Sequence, residues 1–266
     1  MARKLCVAAA QMALSADVSA NVRKIRAMAR EARERRAQLV VFPECAISGY
    51  PPTHLNEGQE LDGEALRRGL AAVQRLARDL RLMIAVGTCV LREDGWYNVA
   101  LLIDSAGEIV GEYAKTHLTA GDKKWFRPGN ALPVFRTRRG TFGMQICFDG
   151  RFPEVCRLLR ERGAEVVLHL VCGTGKGSSW KAPVWEGHTR SRCAENGIYM
   201  VCSNAVDGEQ MMYSLIGDPR GLVLARANLH REEVIVAELD LSRREEWIYN
   251  ARRTDLLQVV ARDGLG

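Results

Sequence analysis

None of the eight cysteines in this 266-residue sequence stands in a C-x-x-C pair. Cys6, Cys45, Cys89, Cys147, Cys156, Cys172, Cys193 and Cys202 fall mostly inside apolar runs, so neither a zinc framework nor a disulfide scaffold is expected. No cluster of His, Cys and carboxylates has metal-ligand spacing, and no metal is expected. No apolar run approaches the ~20 residues that cross a membrane. The opening MARKLCVAAAQM loosely resembles a signal peptide, but its apolar run is short and Gln11 interrupts it. It reads better as a first strand. Without an export signal, reduced thiols in the cytoplasm are the expectation. The glycine-rich CGTGKGSSWK at 172–181 lacks GK[ST], which argues against a phosphate-binding P-loop. No cofactor is therefore expected, and 172–181 reads as a pocket loop. Linker-like Ser/Gly/Pro tracts and long charge blocks are also missing, which favours one domain over 1–266.

What is present is an ordinary globular composition, 47% apolar, enough for a sizeable core. The net charge is +6, from 38 basic and 32 acidic residues, with a pI near 9.0. Arginines alternate with glutamates, as in ARERRA and REEWIYNARR, which suits solvated helix faces. No aromatic–basic platform for a nucleic acid strand is found. Apolar periodicity predicts helices over 21–37, 63–80, 152–162 and 183–196, the first capped by Asp17 or Ser19. Strands are predicted over 4–12, 38–42, 83–91, 96–104, 108–113, 132–136, 141–147, 165–171, 198–203, 214–216, 222–226 and 233–239. Residues 43–60 and 115–131 read as loops; Gly49, Pro51, Pro52 and Gly58 punctuate the first, which follows Glu44 and should wall a pocket. The alternation of strands and helices suggests an α/β layered fold with two similar halves.

Three strand-like runs deliver chemistry at their ends. QLVVF leads to Glu44, the run over 108–113 leads to Lys115, and TFGMQI leads to Cys147. In open α/β sheets, ligands bind beyond such carboxyl ends. A thiol between a strand end and a helix start sits near unpaired N–H groups, which lowers its pKa. Each residue also has a plain structural reading. Free cysteines are often core residues, a glutamate can cap a loop, and most lysines are solvated.

Taken together, VVFPECAISGYPP (40–52), YAKTHL (113–118) and GMQICFDGRFPE (143–154) resemble the nitrilase superfamily of carbon–nitrogen hydrolases. RSRCAENGIYMVCSNAVDG (190–208) and SLIGDPRG (214–221) add weaker support. The resemblance implies a four-layer αββα sandwich, with Cys147 as nucleophile, Glu44 as general base and Lys115 as the cation that steadies an oxyanion. Nitrile-cleaving members often carry Trp-Glu after the cysteine. Phe148-Asp149 here is more like the amidase branches, and points to a small carboxamide cleaved through a thioester with release of ammonia. Carbamoyl hydrolysis, nitrile hydrolysis or acyl transfer on the same triad is the alternative, and a non-catalytic binding module is a third reading. Many relatives place a second glutamate seven residues after the lysine. That position is Asp122 here, one methylene shorter, with Gly121 beside it to let the loop close in. Tyr50, Phe148 and Trp180 are expected to contact substrate. The family also implies a homodimer or larger homo-oligomer, with 242–266 packing at the interface. The expected partner is a small-molecule amide, not nucleic acid or membrane.

Overall fold

The structure, a computed structural model, describes residues 3–55, 59–175, 177–206, 208, 210–243 and 245–260. Gly58, Lys176 and the end of the C-terminal segment, 261–266, lie outside the described residues. Among the described residues there are twelve strands: β1 (Lys4–Gln11), β2 (Leu39–Val41), β3 (Met83–Arg92), β4 (Gly95–Ile103), β5 (Ile109–Ala114), β6 (Val134–Thr137), β7 (Gly140–Ile146), β8 (Val166–Val171), β9 (Tyr199–Asn204), β10 (Leu215–Gly217), β11 (Val223–Arg226) and β12 (Glu233–Asp240). The helices are α1 (Val18–Glu34), α2 (Pro51–His54), α3 (Gly63–Leu80), α4 (Pro153–Glu161), α5 (Ala182–Asn196) and α6 (Trp247–Asn250).

The strands make two six-stranded sheets, ordered β12-β1-β2-β3-β4-β5 and β11-β10-β9-β8-β7-β6. Each sheet has three parallel strands at its centre, β1-β2-β3 and β7-β8-β9, with antiparallel strands outside. The strands are apolar on both faces because both faces are covered. Along β1, Val7 and Ala9 face the inter-sheet core, while Ala8 and Ala10 join Ile25, Met28 and Val73 of α1 and α3. Helices α4 and α5 cover the second sheet through Val155, Cys156, Leu159 and Trp185. The layers are therefore αββα.

Most departures from the sequence reading occur at element ends. α1 starts three residues early because Asp17 accepts from Ser19 N at 2.8 Å and Ala20 N at 3.1 Å, which caps the helix there. The loop over 43–60 contains α2, with Pro51 at its first position. The strand expected to reach Cys147 ends at Ile146, and Cys147–Arg151 forms a 3₁₀ turn before α4. In the C-terminal segment, the Tyr249 ring lies under Arg160 at 4.5 Å and Arg252 at 3.6 Å, while Leu256, Leu257 and Val260 are exposed.

Candidate active site

Four strand ends meet at one place. β2 leads to Glu44, β5 to Lys115, β7 to Cys147 and β8 to Cys172. Glu44 sits in a tight turn in which Cys45 takes φ +53°. Gly87 on β3 makes room for that turn, since a Cβ there would lie 2.4 Å from Cys45 N and 2.6 Å from Pro43 O. The Lys115 backbone is pinned on both sides, its N–H to Asn98 O and its carbonyl to Gly129 N. Cys147 also adopts a left-handed backbone, φ +42°, a conformation that costs a non-glycine residue about 1 kcal/mol or more. His169 steadies it: Nε2 lies 3.1 Å from the Cys147 carbonyl oxygen. Burial pushes His169 down to about 4, so the neutral ring donates to that oxygen. Gly150 leaves space for the ring, because a Cβ would come within 2.6 Å of His169 Cε1.

Lys115 Nζ is 2.7 Å from Glu44 Oε1 and 2.9 Å from Asp122 Oδ2, and all three side chains are within 1% of full burial. Asn98 Nδ2 donates to Glu44 Oε1 at 2.7 Å, and Cys172 N donates to Oε2 at 2.9 Å. Asp122 Oδ2 also accepts from Thr119 N and Oγ1, and Tyr50 OH donates to Oδ1 at 2.7 Å. Burial raises the Glu44 pKa, with Lys115 opposing it. Burial alone would lower Lys115, but the charges of Glu44, Cys147 and Asp122 outweigh it and its pKa is raised. Asp122 runs the other way: burial would raise it, and Lys115 with its hydrogen-bond donors brings it below the usual carboxylate range.

The thiol departs from the sequence expectation. Burial and then the Glu44 charge push Cys147 well above its ordinary value, despite Lys115 and the Cys172 N–H. The strand-end position does not produce a free thiolate, because desolvation of the anion dominates the nearby dipoles and cation.

The site is thus a buried cation between two carboxylates, beside a strained cysteine just past a strand end. The model of the family "Carbon-nitrogen hydrolase" matches residues 6–249. The chain belongs to the carbon–nitrogen hydrolases. It is 29% identical over 291 residues to an N-carbamoylputrescine amidase of Solanum lycopersicum, covering 97% of this chain and 95% of that one. It is 33% identical over 228 residues to a nitrilase of Pyrococcus abyssi, covering 83% and 84%. A carbon-nitrogen hydrolase crystal structure from Helicobacter pylori G27 superposes with TM-score 0.87 over 95% of this chain and 96% of that one, at 23% identity. The two-sheet α/β architecture is that of the nitrilase fold.

In this carbon–nitrogen hydrolase the segments carrying Lys115 and Cys147 are tied by one residue that sequence reasoning treated only as a branch marker. Asp149 is fully buried. Its Oδ2 accepts from Tyr113 OH at 2.7 Å and Ile146 N at 2.9 Å. Its Oδ1 accepts from Thr116 Oγ1 at 3.1 Å, and from His117 N and Nδ1, each at 2.9 Å. Both sides of Lys115 and the approach to Cys147 thus hang on one carboxylate.

The structure brings Glu44, Lys115, Asp122 and Cys147 together. Asp122 reaches Lys115 by a route other than the one expected. Gly121 has φ −67° and ψ −45°, open to any residue, so its special freedom is unused. The Thr119 bonds and the 3₁₀ turn Asp122–Lys124 draw the carboxylate inward. Tyr50 lies at the cluster, but its hydroxyl is committed to Asp122, and its ring centre is 5.8 Å from Lys115 Nζ. Phe148 is half-buried, edge-on to Phe152 at 5.2 Å. Trp180 is 67% exposed, its ring beside Lys181, and no described contact joins it to the cluster. Asn98 and Cys172 were missed as Glu44 partners. Asn98 had a signal, a lone amide in the apolar run WYNVALLI; a backbone N–H such as that of Cys172 has none.

Proposed function

We propose that this enzyme hydrolyses the terminal C–N bond of a small carboxamide through a Cys147 thioester, with release of ammonia. The observation that carries the reading is the Lys115 ammonium, fixed by Glu44 and Asp122 within the field of the Cys147 sulfur.

The chemistry follows from the charges. In free solution a thiol has a pKa of about 8.5 and glutamate about 4.3, so proton transfer between them is uphill by roughly 6 kcal/mol. Burial disfavours both anions and largely cancels in the exchange. What then matters is the position of Lys115, which favours the thiolate as it forms and the oxyanion that follows. Cys147 Sγ attacks the carbonyl carbon as Glu44 takes the thiol proton. The tetrahedral oxyanion builds up beside Lys115. Collapse breaks the C–N bond, Glu44 returns the proton to the leaving nitrogen, and ammonia departs. A water then gives a proton to Glu44 and attacks the thioester, and collapse restores the thiol and yields the acid. Asp122 holds Lys115 charged and in place, and Tyr50 holds Asp122.

The plant relatives named N-carbamoylputrescine amidase support a second reading, in which the carbonyl belongs to a ureido group and the same steps pass through a carbamoyl-enzyme. An ammonia-release screen over amides, ureido compounds and nitriles separates these readings. Cys147→Ala should abolish release and leave the fold intact. Near-normal release by that variant would overturn the mechanism.

A further inference from the structure

We infer that His169 is a positioning residue for this reaction: from the α5 side of the second sheet it holds the Cys147 carbonyl, and so turns the Phe148 N–H of the same peptide toward the oxyanion, as a donor beside Lys115. This rests on the proposed function and deepens it, through a side chain that acts by way of the backbone.

Side chains alternate along β8. Leu168 and Leu170 belong to the inter-sheet core, so His169 faces α5, with its ring centre 6.0 Å from that of Trp185. Its Nε2–H reaches the Cys147 carbonyl oxygen at 3.1 Å. In a trans peptide the carbonyl and the following N–H point in opposite directions, and the described residues hold no cis bond. With the carbonyl drawn toward α5, the Phe148 N–H points away from it, to the side where Lys115 enters from the first sheet. A 3₁₀ turn joins each carbonyl to the N–H three residues on. Phe148 is the second residue of the turn Cys147–Arg151, so that turn makes no use of its N–H.

The imidazole is itself held in the donating tautomer. With the proton on Nε2, Nδ1 can only accept. Cys202 Sγ on β9 lies 3.8 Å from Nδ1, and Thr189 Oγ1 of α5 lies 3.8 Å from the same sulfur. Burial pushes Cys202 up to about 12, which keeps it a thiol with an S–H to give. So α5 and β9 fix the ring, and the ring fixes the peptide. The bland account is a buried histidine that merely satisfies its own nitrogens. It leaves unexplained why the carbonyl engaged is that of the nucleophile. A left-handed residue such as Cys147 (φ +42°) persists only where its surroundings over-determine it, and His169 supplies a side-chain bond to this peptide.

The test sets His169→Met, which keeps the bulk and removes the donor, against His169→Gln, whose amide N–H can replace Nε2–H. The substrate is the amide that wild type cleaves fastest. Deleting an oxyanion donor costs on the order of 10²–10³ in kcat, and here the donor is loosened rather than deleted, so His169→Met should lose about 10- to 100-fold in kcat at unchanged KM. His169→Gln should recover most of that loss. Alkylation of Cys147 by iodoacetamide displaces iodide without forming an oxyanion, so its rate should be the same in all three proteins. Alkylation falling in step with kcat, a loss confined to KM, or no recovery in His169→Gln would overturn the assignment. If His169→Met does not fold, Cys202→Ala, which releases the imidazole to take its other tautomer, should show the same split at smaller size. A second arm needs no turnover. Propionaldehyde adds to Cys147 as a hemithioacetal: the S–C bond forms, and the thiol proton ends on the former carbonyl oxygen, at the oxyanion position. Its affinity, read as protection of Cys147 from iodoacetamide, should fall in His169→Met by a factor similar to that in kcat. Equal protection in both proteins sinks the inference. If no amide is cleaved yet protection depends on His169, the proposed reaction fails and the positioning role stands.

Discussion

Glu44 on the first sheet and the backbone amide of Cys172 on the second meet at 2.9 Å, 128 residues apart in sequence. With Lys115 and Asn98 on the other oxygen, the donors at this carboxylate come from three segments, the ends of β5 and β8 and the interior of β4. Glu44→Gln must turn an amide NH₂ toward Lys115 and Asn98 or toward the Cys172 N–H, donor against donor. It also removes the proposed proton shuttle. Turnover should fall by about 10²–10⁴, with a lower melting temperature. A variant within tenfold of wild type would show that the shuttle lies elsewhere.

Asp122→Asn keeps the shape and removes one of the two charges on Lys115. Asparagine must also present NH₂ to either Tyr50 OH or the Lys115–Thr119 side. We expect kcat to drop at least about tenfold while circular dichroism is unchanged. Tyr50→Phe, which removes a single donor to the same carboxylate, should give a smaller drop in the same direction. Full activity in both variants would reduce Asp122 to a structural carboxylate.

Asp149→Asn tests whether the Lys115 and Cys147 segments need their common anchor. Asparagine has one acceptor oxygen, so donors on one side are left facing an NH₂, at about 1–3 kcal/mol of stability. A displacement near 1 Å can cost about a hundredfold in rate. The loss should therefore appear in kcat more than in KM. A melting shift with normal kcat would confine Asp149 to stability.

The strands were legible in the sequence because they are apolar, short and bounded by turn residues; their arrangement in two sheets came from the family resemblance. Glu44, Lys115 and Cys147 each follow such a run, but each also had a plain structural reading, and the resemblance singled them out. Asp122 was named from the family pattern, but the force that seats it, Thr119, leaves no sequence pattern. Asp149 carries five hydrogen bonds, yet in the sequence it is one acid among 32. Its burial depends on Tyr113 and His117 arriving from another strand end. Trp180, an aromatic in a glycine-rich loop that suggested a pocket wall, lies in the 3₁₀ turn Ser179–Lys181 and is exposed. The thiol pKa was misjudged because local dipoles can be read from a strand–turn–helix pattern, whereas burial depends on four chain segments closing together.

That misjudgement gives a measurable consequence. Because burial and then the Glu44 charge raise the Cys147 pKa above that of a free thiol, thiolate should be scarce in the free enzyme at neutral pH. The rate of Cys147 alkylation by iodoacetamide, corrected with Cys147→Ala, should climb steadily with pH and reach no plateau by pH 9. Removing the Glu44 charge removes the second cause of the rise, so in Glu44→Gln the thiol becomes more acidic. Alkylation at pH 8 should then be faster than in wild type even though turnover is lost. Turnover in wild type has the opposite requirement at low pH, since Glu44 must be ionised to accept the thiol proton. Burial raises its pKa above that of a free glutamate, so kcat/KM should fall as pH drops through a value higher than that of a free carboxylate. A plateau in alkylation near neutral pH would mean that Lys115 and the Cys172 N–H outweigh desolvation. Slower alkylation in Glu44→Gln would mean that Glu44 assists the thiol as a base more than it repels the thiolate.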